Sequence, residues 1–187
     1  ALCGVVGYKG TFGLVPSDGV IMLSWSLDHV GHMAATVEDA ALMLDVLDPA
    51  PHVRYSQGLH KAMRSVRVGV PVAALEGSEA GIAAAFRQAI AALRAAGAEV
   101  IEIETPSAAD FELAVAAGLV VSRAEAAAYH TTYGERRARY ATLAVAEQMD
   151  EASRVSAVHY LQAQRIREDL RWRMLRLFDR FDALLMP

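Results

Sequence analysis

Between Val66 and Glu104 the chain carries a phrase that leaves few choices of fold. Val66-Arg67-Val68-Gly69-Val70-Pro71 is a short β-branched run stopped by proline, which reads as a buried strand. Ser78 supplies an N-cap for the next element, with Glu79 in its first turn. Ile82, Phe86, Ile90 and Leu93 then recur at helical spacing, and Gly97 ends the helix. Glu99 to Glu104 alternates with a period of two, as a strand with one wetted face does. Strand, helix and strand in such close succession make a βαβ unit, its strands parallel and its crossover right-handed.

The flanking segments read mainly as helix. Thr36 stands as N-cap before Glu38 and Asp39, and Val37, Ala40, Ala41, Leu44 and Leu47 follow at helical spacing until Asp48-Pro49. Residues 50–58 read as a surface loop. Ala108 to His130 and Ser156 to Arg180 are long helix candidates, separated by a polar stretch, 131–153, with shorter helical pieces. Phe181 to Pro187 reads as a buried strand. Hydrophobic residues make up 54% of the 187, enough for a sizeable core. The longest apolar run, Leu113 to Val121, falls far short of the roughly 18 to 20 residues of a membrane span. No basic segment followed by an apolar run stands at the start, so no secretory leader is expected.

The formal charge is -4, with both signs mixed throughout, which excludes a general phosphate-backbone binder. Six arginines between Arg165 and Arg180 face Glu168, Asp169 and Asp179 and read as a solvated, ion-paired helix face. The single cysteine, Cys3, excludes an internal disulfide, fits a reducing cytoplasm and reads as a small buried hydrophobe. His29, His32, His52, His60, His130 and His159 are scattered without metal-ligand spacing, so no metal site is expected.

The opening block, Gly4-Val5-Val6-Gly7-Tyr8-Lys9-Gly10-Thr11-Phe12-Gly13-Leu14-Val15, sets glycines, a lysine and a threonine at fixed offsets among apolar residues. Ser24-Trp25-Ser26-Leu27-Asp28-His29-Val30-Gly31 follows, then Thr36-Val37-Glu38-Asp39-Ala40-Ala41. Phosphate-loop spacing is lacking, so the glycines read as turns or close backbone packing. Lys9 reads as positional rather than as a proton carrier. Asp28 reads as a buried carboxylate accepting hydrogen bonds rather than as a general acid or base. No nucleophile elbow surrounds Ser24 or Ser26.

In this order the block resembles the amidase signature family of serine hydrolases. The strand at Val66–Pro71, the junction Ala91–Val100, Glu125-Ala126-Ala127-Ala128-Tyr129-His130 and Phe181–Pro187 resemble its later landmarks, so the likeness covers nearly the whole chain. It implies an α/β fold, a mixed β-sheet flanked by α-helices on both faces, incomplete in this chain. Residues 1–65 would be the tail of the signature region, 66–106 the βαβ unit, and 107–187 a helical cover with a final strand. It also implies acyl transfer from an amide by a Ser, cis-Ser, Lys triad without cofactor. The nucleophile, bridging serine and lysine all lie before the position of Ala1, so no catalytic residue maps onto the chain.

Gly10 and His32 stand where the family usually has proline, and Ala35 where it has arginine, which bears on the rigidity of the nucleophile loop. By position, Val115, Gly118, Leu119 and Ser122 on the long helix are candidates to wall a pocket for an uncharged or hydrophobic acyl group, with plain helix packing as the rival reading. The expected partner is a small-molecule amide, with no nucleic acid and no membrane, and a homodimer is admitted. The alternatives are a glutaminase-type subunit of an amidotransferase and a non-catalytic fragment.

Overall fold

The computed structural model describes residues 3–59, 62–75, 77–132, 134 and 142–187. They form an α/β protein in two compact units, Ala1–His60 with Gly118–Leu161, and Lys61–Ala117 with Gln162–Pro187.

The second unit holds a parallel sheet. Strand β3 (Arg67–Val70) lies between β4 (Glu99–Glu102) and β5 (Ala183–Leu184), parallel to both, with Val68 opposite both Val100 and Ala183. Helix α2 (Ala80–Ala95) joins β3 to β4, as the sequence predicts. Val68, Val70, Phe86 and Ala98 form its buried core, with Ile90, Leu93, Val100 and Leu185 packed against them.

Three details differ from expectation. Glu79, not Ser78, occupies the N-cap of α2, and no side chain caps it, because Ser78 closes a turn onto the Leu75 carbonyl. Ile82 is 48% exposed and Ala83 takes the inward place, since Ala83 rather than Ile82 completes the stripe of Phe86, Ile90 and Leu93. The final strand shrinks to Ala183–Leu184, which pair with Val68 and Gly69 and are flanked by bonds from Asp182 N–H to the Arg67 carbonyl and from Leu185 N–H to the Gly69 carbonyl. Only Phe181 of this segment is buried, and the exposed Asp182 side chain pairs with Arg67.

Helix α2 ends in a Schellman motif. Gly97 adopts φ +95°, its N–H donates to the Arg94 carbonyl, and Ala98 N–H donates to Leu93. The next residue, Glu99, then donates to the Val66 carbonyl and starts β4. Helix and strand are thereby fixed in one turn.

In the first unit β1 (Val6–Lys9) pairs antiparallel with β2 (Gly31–Ala34), Tyr8 opposite His32. A Cβ on Gly31 would lie 2.6 Å from the Tyr8 carbonyl oxygen, so only glycine admits this close approach. Helix α1 (Val37–Leu47) is capped by Thr36, whose hydroxyl accepts from Asp39 N–H as predicted. His32 is buried, and its Nε2–H donates to the Ala40 carbonyl at 2.7 Å, tying β2 to α1.

The loop after α1 is pinned rather than loose. Asp45 accepts from Tyr55 N–H, and Asp48 accepts from the Tyr55 hydroxyl, both at 2.6 Å. The hydrogen bond to Asp48, burial and the surrounding negative charge push the Tyr55 hydroxyl up to about 12.

The long helices appear as α3 (Ala108–Thr131) and α5 (Ala157–Leu177). Of the polar stretch 131–153, residues 133 and 135–141 lie outside the described residues, and α4 (Leu143–Ala152) is the helical piece within the rest. In the second unit Arg173 grips Asp110 bidentately, with 2.8 Å for each bond, and also meets Asp169, while Arg171 pairs with Glu168. Arg171 and Arg173 thus make the ion pairs with Glu168 and Asp169 expected of this face, although the closest partner of Arg173 is Asp110 of α3. Among the described residues no helix is long and apolar enough to cross a membrane.

Candidate functional site

The opening block folds as β1, a glycine-containing turn and a loop leading to β2. Gly4 and Gly13 adopt φ +66° and +80°, conformations that a side chain rarely tolerates, and nothing lies within 4 Å of a Cβ at either. These two glycines therefore serve the turn rather than close packing. Gly7 sits in β1 and is not tightly packed, since a Cβ there would meet Met33 only at 3.9 Å. Lys9 is an exposed strand residue opposite Gly31. Cys3 is exposed, which corrects its reading as a buried hydrophobe, because the first turn leaves its side chain outside the strand pair.

Residues 23–28 form a tight turn. One oxygen of Asp28 accepts from the N–H groups of Leu23 (2.7 Å) and Ser24 (2.9 Å), and Asp28 N–H donates back to the Ser24 carbonyl. Asp28 thus works as a hydrogen-bond acceptor, although it is only half-buried. His29 donates through Nδ1–H to the Leu27 carbonyl at 2.6 Å, and its ring packs edge-on against Phe12. Beside this turn lies a hollow of about 330 Å³, lined by Thr11, Phe12, Ser17, Asp18, Asp28 and His29 among others.

The centre of the unit is Glu125 on α3, 1% exposed. Among the described residues, four hydrogen bonds enter its carboxylate. Oε2 accepts from Ser24 Oγ at 2.6 Å and from Ser26 N–H at 3.0 Å. Oε1 accepts from Ser26 Oγ and from the Tyr160 hydroxyl of α5, each at 2.7 Å. Burial pushes this carboxyl up, but the hydrogen bonds from Ser24, Ser26 and Tyr160 outweigh it and hold the group below its ordinary value. An ionised carboxylate so fully occupied is a poor proton acceptor, and Ser24 is itself 1% exposed. The pair is built to fasten a loop, not to attack a substrate.

Sequence reasoning reaches Glu125 only as a landmark and misses Tyr160. The available signal is a carboxylate within Ala124–Ala128, on a helix whose Val121, Ala126 and Ala127 are all buried. A charge on an inward face needs hydrogen-bonding partners, and serines and a tyrosine supply them here.

Val115, Gly118, Leu119 and Ser122 share one face of α3 by helical spacing. Val115 is 66% exposed and Leu119 50% exposed, and a Cβ on Gly118 would meet nothing within 4 Å. Ser122 Oγ donates to the Leu119 carbonyl of its own helix at 3.2 Å. The described residues hold no group of three or more His, Cys, Asp and Glu able to bind a metal, and His60 lies outside them.

The Amidase family model matches residues 1–187. An amidase of Pseudomonas putida is 36% identical over 199 residues, covering all of this chain and 42% of that protein. A glutamyl-tRNA(Gln) amidotransferase subunit from Nitrosomonas eutropha is 32% identical over 222 residues, covering all of this chain and 45% of that protein. Among solved structures, one described as a crystal structure of amidase superposes with a TM-score of 0.79 at 27% identity, over 98% of this chain and 40% of that one. The chain thus spans less than half the length of the relatives it matches, and within that span the two units and their glycine-rich opening block are those of the amidase signature family, to which it belongs.

Proposed function

We propose that the chain forms part of an enzyme that hydrolyses the C–N bond of a carboxylic amide. On this reading a Ser, cis-Ser, Lys triad performs the attack, and all three residues belong to sequence preceding these 187 residues. A neutral lysine draws the proton through the bridging serine, and the nucleophilic serine adds to the carbonyl. The present residues serve as scaffold: 1–65 as the tail of the signature region, 66–106 as the βαβ unit, and 107–187 as helical cover and last strand. No cofactor takes part in this chemistry.

The observation that carries the reading is the match of the whole chain, with its opening block intact, to amidases. Val115, Gly118, Leu119 and Ser122 would wall the acyl side of the pocket. Their small or apolar side chains suit an uncharged or hydrophobic acyl group, in a protein of the reducing cytoplasm that works alone or as a homodimer.

A glutaminase-type subunit is the second reading, favoured by the relatives named as glutamyl-tRNA(Gln) amidotransferase subunits. The charged ends of glutamine call for an arginine and an acid in the pocket, and this face of α3 offers neither at the four positions named. The complete enzyme, given aliphatic, aromatic and amino-acid amides, is expected to release ammonia fastest from uncharged acyl amides. Exclusive use of glutamine would transfer the assignment to the second reading, and failure on every amide would refute both. The 187 residues alone are expected to be inactive, since the triad acts as a unit.

A further inference from the structure

We infer that Glu125 is a positioning residue for the proposed hydrolysis, holding the signature segment and the acyl-facing side of α3 in fixed register. The inference rests on the amidase reading above. Ser24 and Ser26 belong to the turn at 23–28, within the block that on this reading follows the nucleophile, and they lie 101 and 99 residues from Glu125 in sequence. Tyr160 brings in α5. One carboxylate therefore fastens the loop to two helices.

At 3.6 residues per turn, Gly118, Ser122 and Glu125 fall within about 60° of arc, with Val115 about 20° beyond Ser122 and Leu119 about 60° beyond it. The face proposed to meet the acyl group is thus the face whose rotation Glu125 sets. A helix free to turn or slide would move the Gly118 and Ser122 surface relative to the 23–28 loop, and displacements of about 1 Å far from the chemistry can cost on the order of 100-fold in rate. Charge matters here as well as shape. A carboxylate accepts all four donors at once, whereas an amide offers one oxygen and turns an N–H₂ group toward the serines.

The test is made in the complete enzyme with amides of increasing acyl size. Glu125→Gln is expected to lower kcat by about 10- to 100-fold and to shift the ratio of KM values between small and bulky acyl groups. Glu125→Asp, which keeps the charge on a shorter arm, is expected to restore part of the kcat loss. A folded E125Q enzyme with unchanged kcat and acyl preference would overturn the inference, as would a loss equal for all substrates and proportional to the unfolded fraction. Should E125Q not accumulate as folded protein, Ser26→Ala and Tyr160→Phe carry the test. Each is expected to give a smaller, non-additive fall in kcat, and wild-type kinetics in both would refute the role. If the unsubstituted enzyme cleaves no amide, the functional reading itself fails and the inference falls with it. An active enzyme indifferent to Glu125 sinks the inference alone.

Discussion

Gly69 lies against the ring of Phe181 so closely that a Cβ at this position would sit 2.7 Å from a ring carbon. Phe181 is 1% exposed and packs on Phe178 at 4.9 Å between ring centroids, so the ring has little freedom to retreat. Gly69→Ala is therefore expected to destabilise the fold by about 1–3 kcal/mol, the usual cost of overpacking. A double-mutant cycle with Phe181→Leu checks the cause: Gly69→Ala should cost markedly less when the smaller side chain is present. Equal costs in both backgrounds would show that the strain lies elsewhere.

Asp182 and Arg67 join β5 to β3 through four hydrogen bonds at the strand start, one of them from Asp182 N–H to the Arg67 carbonyl at 2.8 Å. Asp182 accepts from the Arg67 N–H at 2.8 Å and from its guanidinium at 2.8 and 3.3 Å. The guanidinium hydrogen bond and the backbone N–H bond hold the Asp182 carboxyl down at about 2, against an ordinary 3.8. A carboxyl lowered in the folded state contributes stability that is present above the ordinary value and lost as pH falls toward the folded one. Melting temperatures should therefore drop between about pH 4 and pH 2 more steeply than in Asp182→Asn. Parallel curves for the two proteins would count against this pair.

The sign reverses for Tyr55, whose hydroxyl is pushed up to about 12 chiefly by the hydrogen bond it donates to Asp48. A raised value contributes stability that is complete below the ordinary pH 10 and fades as the medium approaches about pH 12. Tyr55→Phe should remove that alkaline dependence and loosen the loop after α1. Titration of tyrosinate absorbance offers the direct check: one tyrosine fewer should ionise late in the variant.

Loss of the Thr36 hydroxyl leaves the Asp39 N–H at the start of α1 without its side-chain acceptor. Thr36→Ala is expected to cost about 1 kcal/mol, and Thr36→Ser, which keeps the oxygen, much less. Chemical denaturation of the two variants separates capping from general disturbance of the turn.

The parts that local chemistry decides are legible in the amino-acid order alone. Thr36 caps, Gly97 stops, and β-branched Val66–Val70 with the alternating Glu99–Glu104 pair in parallel, because turn geometry and hydrophobic period act over a few residues. The illegible parts depend on distant partners. The apolar run after Phe181 predicts a longer strand, but β3 pairs only with Ala183 and Leu184, and the Asp182 carboxylate finds a partner in Arg67, 115 residues away. Glu125 can be placed on a helix and not in a role, since Ser24 and Ser26 lie about a hundred residues away and nothing in their spacing points at it. The habit of its residue type would bury Cys3, and its exposure follows instead from the path of the chain into β1.

The hook formed by Gly97 and Ala98 also fixes how far β4 travels before it meets β3. Val100 then lies beside Val68, on the face that packs against Phe86. Adding a single residue at this bend would delay the strand by one step and deliver the Glu99 carboxylate to the spot Val100 now fills. Length variation among natural variants should accordingly spare the Ala96–Ala98 corner.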